Sequence, residues 1–105
     1  MEVKIPKDDV LGNPTRLSIM LHLLIVNRAT FSDLQKALNL TPGNLDSHLR
    51  KLEKAGLIRI RKGIIGLKPR TIIMITDEGY IRTLNYIRSI RETIEKVLST
   101  IDLNQ

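Results

Sequence analysis

The sequence predicts a mainly α-helical domain with a small β-hairpin, an α+β fold that ends in a long helix. Three observations carry this prediction. Apolar residues recur at helical spacing through most of the 105 residues, and this length fits one domain. Apolar and charged residues alternate for a short stretch after Gly56, as in a strand. A heptad-like apolar seam then occupies the C-terminal third.

The first predicted helix begins at Asn13-Pro14, where Asn serves as the N-cap and Pro takes the first helical position. It runs to about Asn27 and is apolar on two sides. A helix that is apolar all round is buried on both sides, so we expect one side to face the core and the other a partner. The side expected to face the partner carries Ile19, Leu23 and Val26.

Two shorter helices are predicted next, joined by a tight connection. The second helix runs from Ser32 to Leu38, with Thr30 as its cap. Thr41 caps the third helix, and Pro42 occupies its first position. Gly56 ends the third helix as a residue in the left-handed conformation.

A two-stranded hairpin is predicted after the third helix. In the segment 57–61, Ile58 and Ile60 alternate with two arginines, which is typical of a half-buried strand. A second strand is predicted from Thr71 to Thr76, where β-branched residues are frequent. Turn residues are common over 63–70, and we expect this segment to form a mobile basic tip.

The last helix is capped by Thr76 and is predicted to run to about Ile101. Its apolar seam would leave a sizeable exposed patch in a monomer, which soluble proteins avoid. We therefore expect an obligate homodimer built on this helix with help from the first helix. The residues predicted at the dimer interface are Ile19, Leu23, Val26, Ile87, Ile90, Ile94, Val97 and Ile101.

The positive charge is concentrated in one short segment. The 17 basic and 11 acidic residues give a net charge of +6. Residues 1–58 contribute +2 (eight basic, six acidic), residues 59–70 contribute +5 (five basic, no acidic) and residues 71–105 contribute −1 (four basic, five acidic). A basic segment of this kind favours a polyanionic partner.

Two short helices, a tight connection and a basic hairpin together predict a winged helix-turn-helix. In that fold the third helix enters the major groove of DNA, and the hairpin, or wing, reaches the adjacent backbone or minor groove. Without the basic hairpin, the third helix would be interpreted as an ordinary amphipathic helix with a solvated polar face. The residues of the third helix expected to bind DNA are Gly43, Asn44, Ser47, His48, Arg50 and Lys51. Those of the wing are Arg61, Lys62, Lys68 and Arg70.

Other classes of function lack support in the sequence. There is no cysteine, which excludes disulfides and zinc-thiolate sites. Neither His22 nor His48 has ligand-type residues at metal-site spacing, and no nucleophile triad or phosphate-binding glycine loop is found. We therefore expect no enzyme activity, no cofactor and no metal. Because aromatic residues make up only 3 %, binding of single strands by base stacking is disfavoured. We expect a soluble cytoplasmic protein that does not associate with membranes.

From about Leu11 to Ile90 the sequence resembles the compact archaeal and bacterial winged helix-turn-helix transcription regulators related to the MarR and ArsR families. The matching stretches are LGNPTRLSIMLHLL, FSDLQKALNLTPGNLDSHLRKLEKAGLI, KGIIGLKPRT and ITDEGY. The resemblance implies a DNA-binding transcription regulator that dimerises through terminal helices. It supports no cysteine-based metal sensing, because the chain has no cysteine. A small-molecule effector stays open, since no motif for one can be assigned.

The predicted organisation is an N-terminal segment at 1–12, a DNA-binding domain at 13–76 and a dimerisation helix at 77–105. The predicted function is that of a homodimeric regulator on an inverted-repeat DNA operator. One alternative is a winged helix that serves as a protein-interaction module in a transcription or replication complex, because a fold alone does not fix function. A second alternative, binding of double-stranded RNA, is disfavoured because a helix does not fit the narrow major groove of RNA.

Overall fold

A computed structural model describes residues 3–103 of the chain. The termini of the predicted N-terminal segment and dimerisation helix, residues 1–2 and 104–105, lie outside the described residues. Along the chain the elements are α1 (Pro14–Val26), β1 (Arg28–Thr30), α2 (Phe31–Leu38), α3 (Pro42–Lys54), β2 (Ile58–Ile65), β3 (Lys68–Ile75) and α4 (Asp77–Leu103).

The starts of the helices follow from local capping. The side chains of Asn13, Thr30 and Thr41 each accept a hydrogen bond from the backbone N–H three residues later, as N-caps do. The hydroxyl of Thr76 caps α4 in the same way, by accepting from the N–H of Gly79. All four predicted caps are confirmed.

The first three helices also end for local reasons, because a residue with positive φ follows each of them. Asn27 at the end of α1 and Asn39 at the end of α2 have positive φ angles of 67° and 52°, which asparagine tolerates, and Asn39 adopts the left-handed helical conformation. Gly56 follows α3 with φ of +80°, so the predicted left-handed glycine is confirmed.

The sheet differs from the predicted hairpin in two respects. It has three antiparallel strands in the order β1-β3-β2, because the short strand β1 pairs with residues 72–74 of β3. In addition, β2 and β3 stay paired as far as Ile65 and Lys68, leaving only Gly66 and Leu67 in the turn. The expected tip over 63–70 is therefore too long, since cross-strand pairing places all but two of these residues in strands.

The core lies between α1, α2 and α3 on one side and the sheet on the other. Leucine and isoleucine dominate it, as the low aromatic content requires. Its fully or almost fully buried members are Leu11, Ile19, Met20, Leu23, Leu34, Leu45, Leu49, Leu52, Leu57, Ile58 and Ile73.

The assignment of the two apolar sides of α1 requires a correction. Ile19 and Leu23 have no exposed surface and pack within the core of their own domain. They therefore have no surface to offer a partner, and their prediction as dimer-interface residues is wrong. The exposed apolar residues of α1 are instead Leu21, Ile25 and, at the C-terminal end of the helix, Val26, which are 38 %, 83 % and 42 % exposed.

The N-terminal segment packs along α4. The Asp8 carboxylate accepts hydrogen bonds from Arg82 Nε at 3.0 Å and Nη2 at 2.9 Å. It also accepts from the backbone N–H groups of Val10 and Leu11. Partial burial raises the pKa of Asp8, but these hydrogen bonds outweigh it, so the pKa lies below its usual value.

The C-terminal half of helix α4 extends beyond the rest of the domain. Its 27 residues span about 40 Å at the usual rise. Its first turns are tightly packed: Thr83 is fully buried, and a Cβ on Gly79 would collide with the carbonyl oxygen of Leu57. Beyond residue 90 every described side chain is exposed or half-exposed. Three shorter helices, a basic hairpin and this projecting fourth helix form the predicted winged helix fold.

Candidate nucleic-acid interface

The helix α3 presents one polar face to solvent. Its apolar side is fixed in the core by three leucines that are at most 1 % exposed, Leu45, Leu49 and Leu52. The opposite side is therefore turned outward, and Asn44, Ser47 and Lys51 are all exposed there. Their side chains make no hydrogen bond or ion pair within residues 3–103, which leaves them free to bind a ligand.

Arg50 lies on the same helix but is already paired. Its Nε donates to Oδ2 of Asp46 at 2.8 Å, one helical turn away, and both side chains are more than half exposed. The hydrogen bond and the charge of Asp46 raise the pKa of Arg50. Because an exposed pair of this kind is weak, a DNA phosphate can compete for the guanidinium.

His48 occupies the border between α3 and α1. Arg16 is 8 % exposed, and its Nη1 lies 3.3 Å from His48 Nδ1, so this nitrogen accepts from the guanidinium. Burial lowers the pKa of His48, and the charges of Arg16 and Lys51 lower it further. The neutral form of His48 is therefore favoured, and because Nδ1 accepts from Arg16, the ring proton of that form lies on Nε2.

Gly43 lies in the first turn of α3, in the outward-facing row. A Cβ built on it would meet nothing within 4 Å, so the fold does not require a glycine there. A glycine in a helix costs up to about 1 kcal/mol relative to alanine. The N–H groups at a helix N-terminus attract anions. A glycine there would allow an anionic ligand to approach the backbone closely.

Lys54 was missed by the sequence analysis. Residues 43, 47, 50 and 54 are spaced 4, 3 and 4, so they form one row along α3. Lys54 is exposed and extends this row by one turn beyond Arg50. The spacing alone was a sufficient signal.

The two faces of the wing, defined as residues 58–75, carry different charges. Directly paired residues on antiparallel strands lie on the same face, and successive residues alternate. The face containing Ile60 and Ile73 turns towards the core and α3, and Lys62 lies on it. Lys62 and Arg50 line a common cleft of about 490 Å³ between α3 and the wing.

The opposite, outer face carries most of the basic residues of the wing. The register places Arg61, Lys68 and Arg70 there, together with Arg59. The strand β1 adds Arg28, which pairs with Met74 on the same face. Sequence reasoning missed Arg28 because it is 42 residues from Arg70 in the sequence, and only the pairing of β1 with β3 brings its strand into the sheet.

Two other kinds of feature, a metal site and a membrane span, are absent from residues 3–103. No cluster of three or more His, Cys, Asp or Glu side chains is placed to hold a metal ion. No helix in this range combines the length and apolar composition needed to span a bilayer.

Comparison with known families decides the classification. The family model described as a winged helix DNA-binding domain matches residues 15–94, which include α3 and the whole wing. The chain belongs to this family. The chain is also similar to an uncharacterized protein of Methanocaldococcus jannaschii, with 34 % identity over 88 residues that cover 84 % of this chain and 96 % of the relative.

Several solved structures have a similar fold. A transcriptional regulator homologue from Pyrococcus horikoshii is 46 % identical, with a TM-score of 0.82 over 87 % of this chain and 90 % of its own. A MarR-like regulator from Thermotoga maritima has a TM-score of 0.66 at 16 % identity, over 90 % and 68 % of the two chains. Reduced AbfR bound to DNA has a TM-score of 0.71 at 21 % identity, over 91 % and 74 %.

The predicted likeness to MarR-family regulators is confirmed at the level of the fold. Family and fold both support a DNA-binding transcription regulator, a class whose members are typically not enzymes. Within this winged helix, α3 brings Gly43, Asn44, Ser47 and Lys51 onto one exposed face, while His48 lies at its edge beside α1. The wing places Lys62 next to α3 and its other predicted basic residues on the outer face.

Proposed function

We propose that this protein regulates transcription in the cytoplasm by binding double-stranded DNA sequence-specifically, as a homodimer on an inverted-repeat operator. The observation that carries the proposal is the exposed polar face of α3 beside a wing rich in basic residues. Asparagine, serine and lysine suit base edges and phosphates in the major groove, and lysine and arginine of the wing suit the neighbouring backbone. AbfR, which shares the fold, is described in complex with DNA.

The roles of α3 and the wing are expected to separate in binding experiments. Genomic fragments selected with the purified protein would first supply the preferred site. Asn44→Ala should then cost about 1–3 kcal/mol on that site and little on random DNA, because base contacts carry the specificity. Lys68→Ala should weaken both about equally and lower the log–log salt slope by about 0.9.

Lys96→Ala is the matched control, since Lys96 is an exposed lysine on α4 far from both elements. It should leave affinity and salt slope unchanged. Equal weakening of preferred and random DNA by Asn44→Ala would contradict the base-reading role. A wild-type salt slope near zero would contradict DNA binding as a whole.

The dimer part of the proposal is supported by the uncovered half of α4. The seam begins in the core at Thr83, and Ile87 and Ile90 are half-buried against their own domain. Further along, Ile94 and Ile101 are 47 % and 46 % exposed. The helix α1 adds its exposed apolar residues Leu21, Ile25 and Val26. A second copy would remove these apolar groups from water, which favours association.

A symmetric dimer should place the two α3 helices about 34–36 Å apart, one turn of DNA. Ile94→Glu with Ile101→Glu introduces charge into the exposed half of the seam without touching the core. Sedimentation at low micromolar concentration should show wild-type dimers and mutant monomers, and the mutant should bind the operator far more weakly. Ser99→Glu, on the opposite face of α4, is the control and should remain dimeric. A well-folded wild-type monomer would refute the dimer.

A further inference from the structure

The tip of the wing is apolar, which neither the basic charge nor the fold explains. Leu67 in the turn is 100 % exposed, and the two isoleucines before the turn, Ile64 and Ile65, are 77 % and 51 % exposed. Pro69 pairs with Ile64 and lies on the same face of the hairpin. Four apolar side chains therefore cluster at the end of an otherwise basic hairpin.

Formation of the turn does not require these apolar groups. Gly66 has φ of +66° and is the first of two turn residues, as in the tight turns that favour glycine at this position. The second turn position needs no apolar side chain, and polar residues are usual at such tips. Leucine at full exposure therefore points to a function outside the folded domain.

The tip also projects from the body of the domain. The strand β1 supports β3 only at residues 72–74, so the hairpin beyond Thr71 and Lys62 has no third strand beside it. About four residues of unsupported strand, at about 3.3 Å each, place the tip roughly 13 Å beyond the sheet. A two-stranded ribbon as a whole suits the wider major groove, but its two-residue turn is narrow enough to present Leu67 to the minor groove, which is about 6 Å wide.

The positive charge around the tip indicates which class of partner the tip would bind. Lys62, Lys68 and Arg70 surround the apolar cluster, and the whole wing from residue 58 to residue 75 contains no acidic residue. A polyanion is therefore favoured over an ordinary protein surface. Duplex DNA offers both a phosphate backbone for the cations and base steps against which an apolar side chain can pack.

We propose that the wing enters the minor groove and inserts Leu67 as a wedge between two base pairs, with Ile64 and Pro69 packed behind it, so that binding kinks the DNA. This inference rests on the proposed function and adds a mode of DNA deformation to it. Partial unstacking is least costly at flexible pyrimidine–purine steps. The operator therefore carries such a step where each wing meets the minor groove.

The experiment measures affinity and bending separately, on the duplex selected by the wild-type protein. Fluorophores at the two ends report bending by energy transfer, and 2-aminopurine at the step facing the wing reports unstacking. Leu67→Ala should abolish the 2-aminopurine signal, reduce the bend and weaken binding about tenfold. Ile81→Ala, a change of an exposed apolar residue on α4, is the matched control and should behave as wild type.

Four results can be told apart. Loss of unstacking in Leu67→Ala, with the preferred sequence still selected over random DNA, supports the wedge. A wild-type complex without unstacking, or unstacking that persists in Leu67→Ala, overturns it while the proposed function stands. Absence of duplex binding by the wild type refutes the proposed function and the wedge together. Binding of the wild type to phosphatidylserine vesicles that Leu67→Ala abolishes would overturn the wedge and assign the tip to a lipid surface.

Discussion

Gly43→Ala should move stability and DNA affinity in opposite directions. In the free protein a methyl group at this position meets nothing within 4 Å, and the backbone is already helical, so the substitution causes no strain. Alanine lowers the conformational entropy of the unfolded chain and is the better helix former, which should raise the free energy of unfolding by about 0.5–1 kcal/mol. For a domain of this size the midpoint of thermal unfolding should rise by about 2–6 °C.

The same methyl group should weaken DNA binding. It occupies the surface through which the N-terminus of α3 would approach a phosphate, and the two backbones would have to separate by about the thickness of a methyl group. We expect a loss of about tenfold in affinity, or about 1.4 kcal/mol. Thermal unfolding followed by circular dichroism and titration of a labelled duplex by fluorescence anisotropy measure the two effects on one preparation.

A control for Gly43→Ala is Ser99→Ala, which raises helix propensity on the solvent face of α4 and should leave DNA affinity unchanged. If Gly43→Ala were more stable and bound DNA as tightly as the wild type, close backbone approach would be wrong. If it were less stable, the account of α3 in the free protein would be wrong.

Two further predictions concern the folded domain itself. The buried Thr83 hydroxyl has no hydrogen-bond partner among the described residues, so Thr83→Val should stabilise the protein by about 1 kcal/mol in chemical unfolding. Thr93→Val, which removes a hydroxyl that donates to the Ser89 carbonyl oxygen, should not stabilise it, and equal effects would contradict this explanation. Asp8→Asn should cost about 1–2 kcal/mol at pH 7, because it removes the charge that Arg82 contacts. Since the folded-state pKa of Asp8 lies below the unfolded value of about 3.9, this difference should be complete above about pH 5 and should vanish as the pH falls through the lowered pKa; a difference that persists in acid would refute it.

The exposed polar face of α3 was predictable because it depends on local chemistry. Capping by Thr41, the left-handed Gly56 and the spacing of three leucines fix the ends and the rotation of this helix. The rotation in turn determines which residues face outward, including Lys54, which the spacing indicated but the sequence analysis overlooked. The wing was predicted as an element, yet its faces were not, because the register of β2 and β3 decides which side each basic residue occupies.

The sequence by itself determined the order of the elements, the helix starts and the concentration of basic charge, since capping, periodicity and composition act over a few residues. The tertiary structure alone decided which apolar side of α1 is buried: Ile19 and Leu23 are as apolar as Ile25, and no periodicity distinguishes two apolar sides of one helix. The same holds for the pairing of Arg28 with Met74 and for the contact of Asp8 with Arg82, 74 positions later. Such pairings depend on the simultaneous packing of distant segments around one core, and local patterns carry no information about that packing.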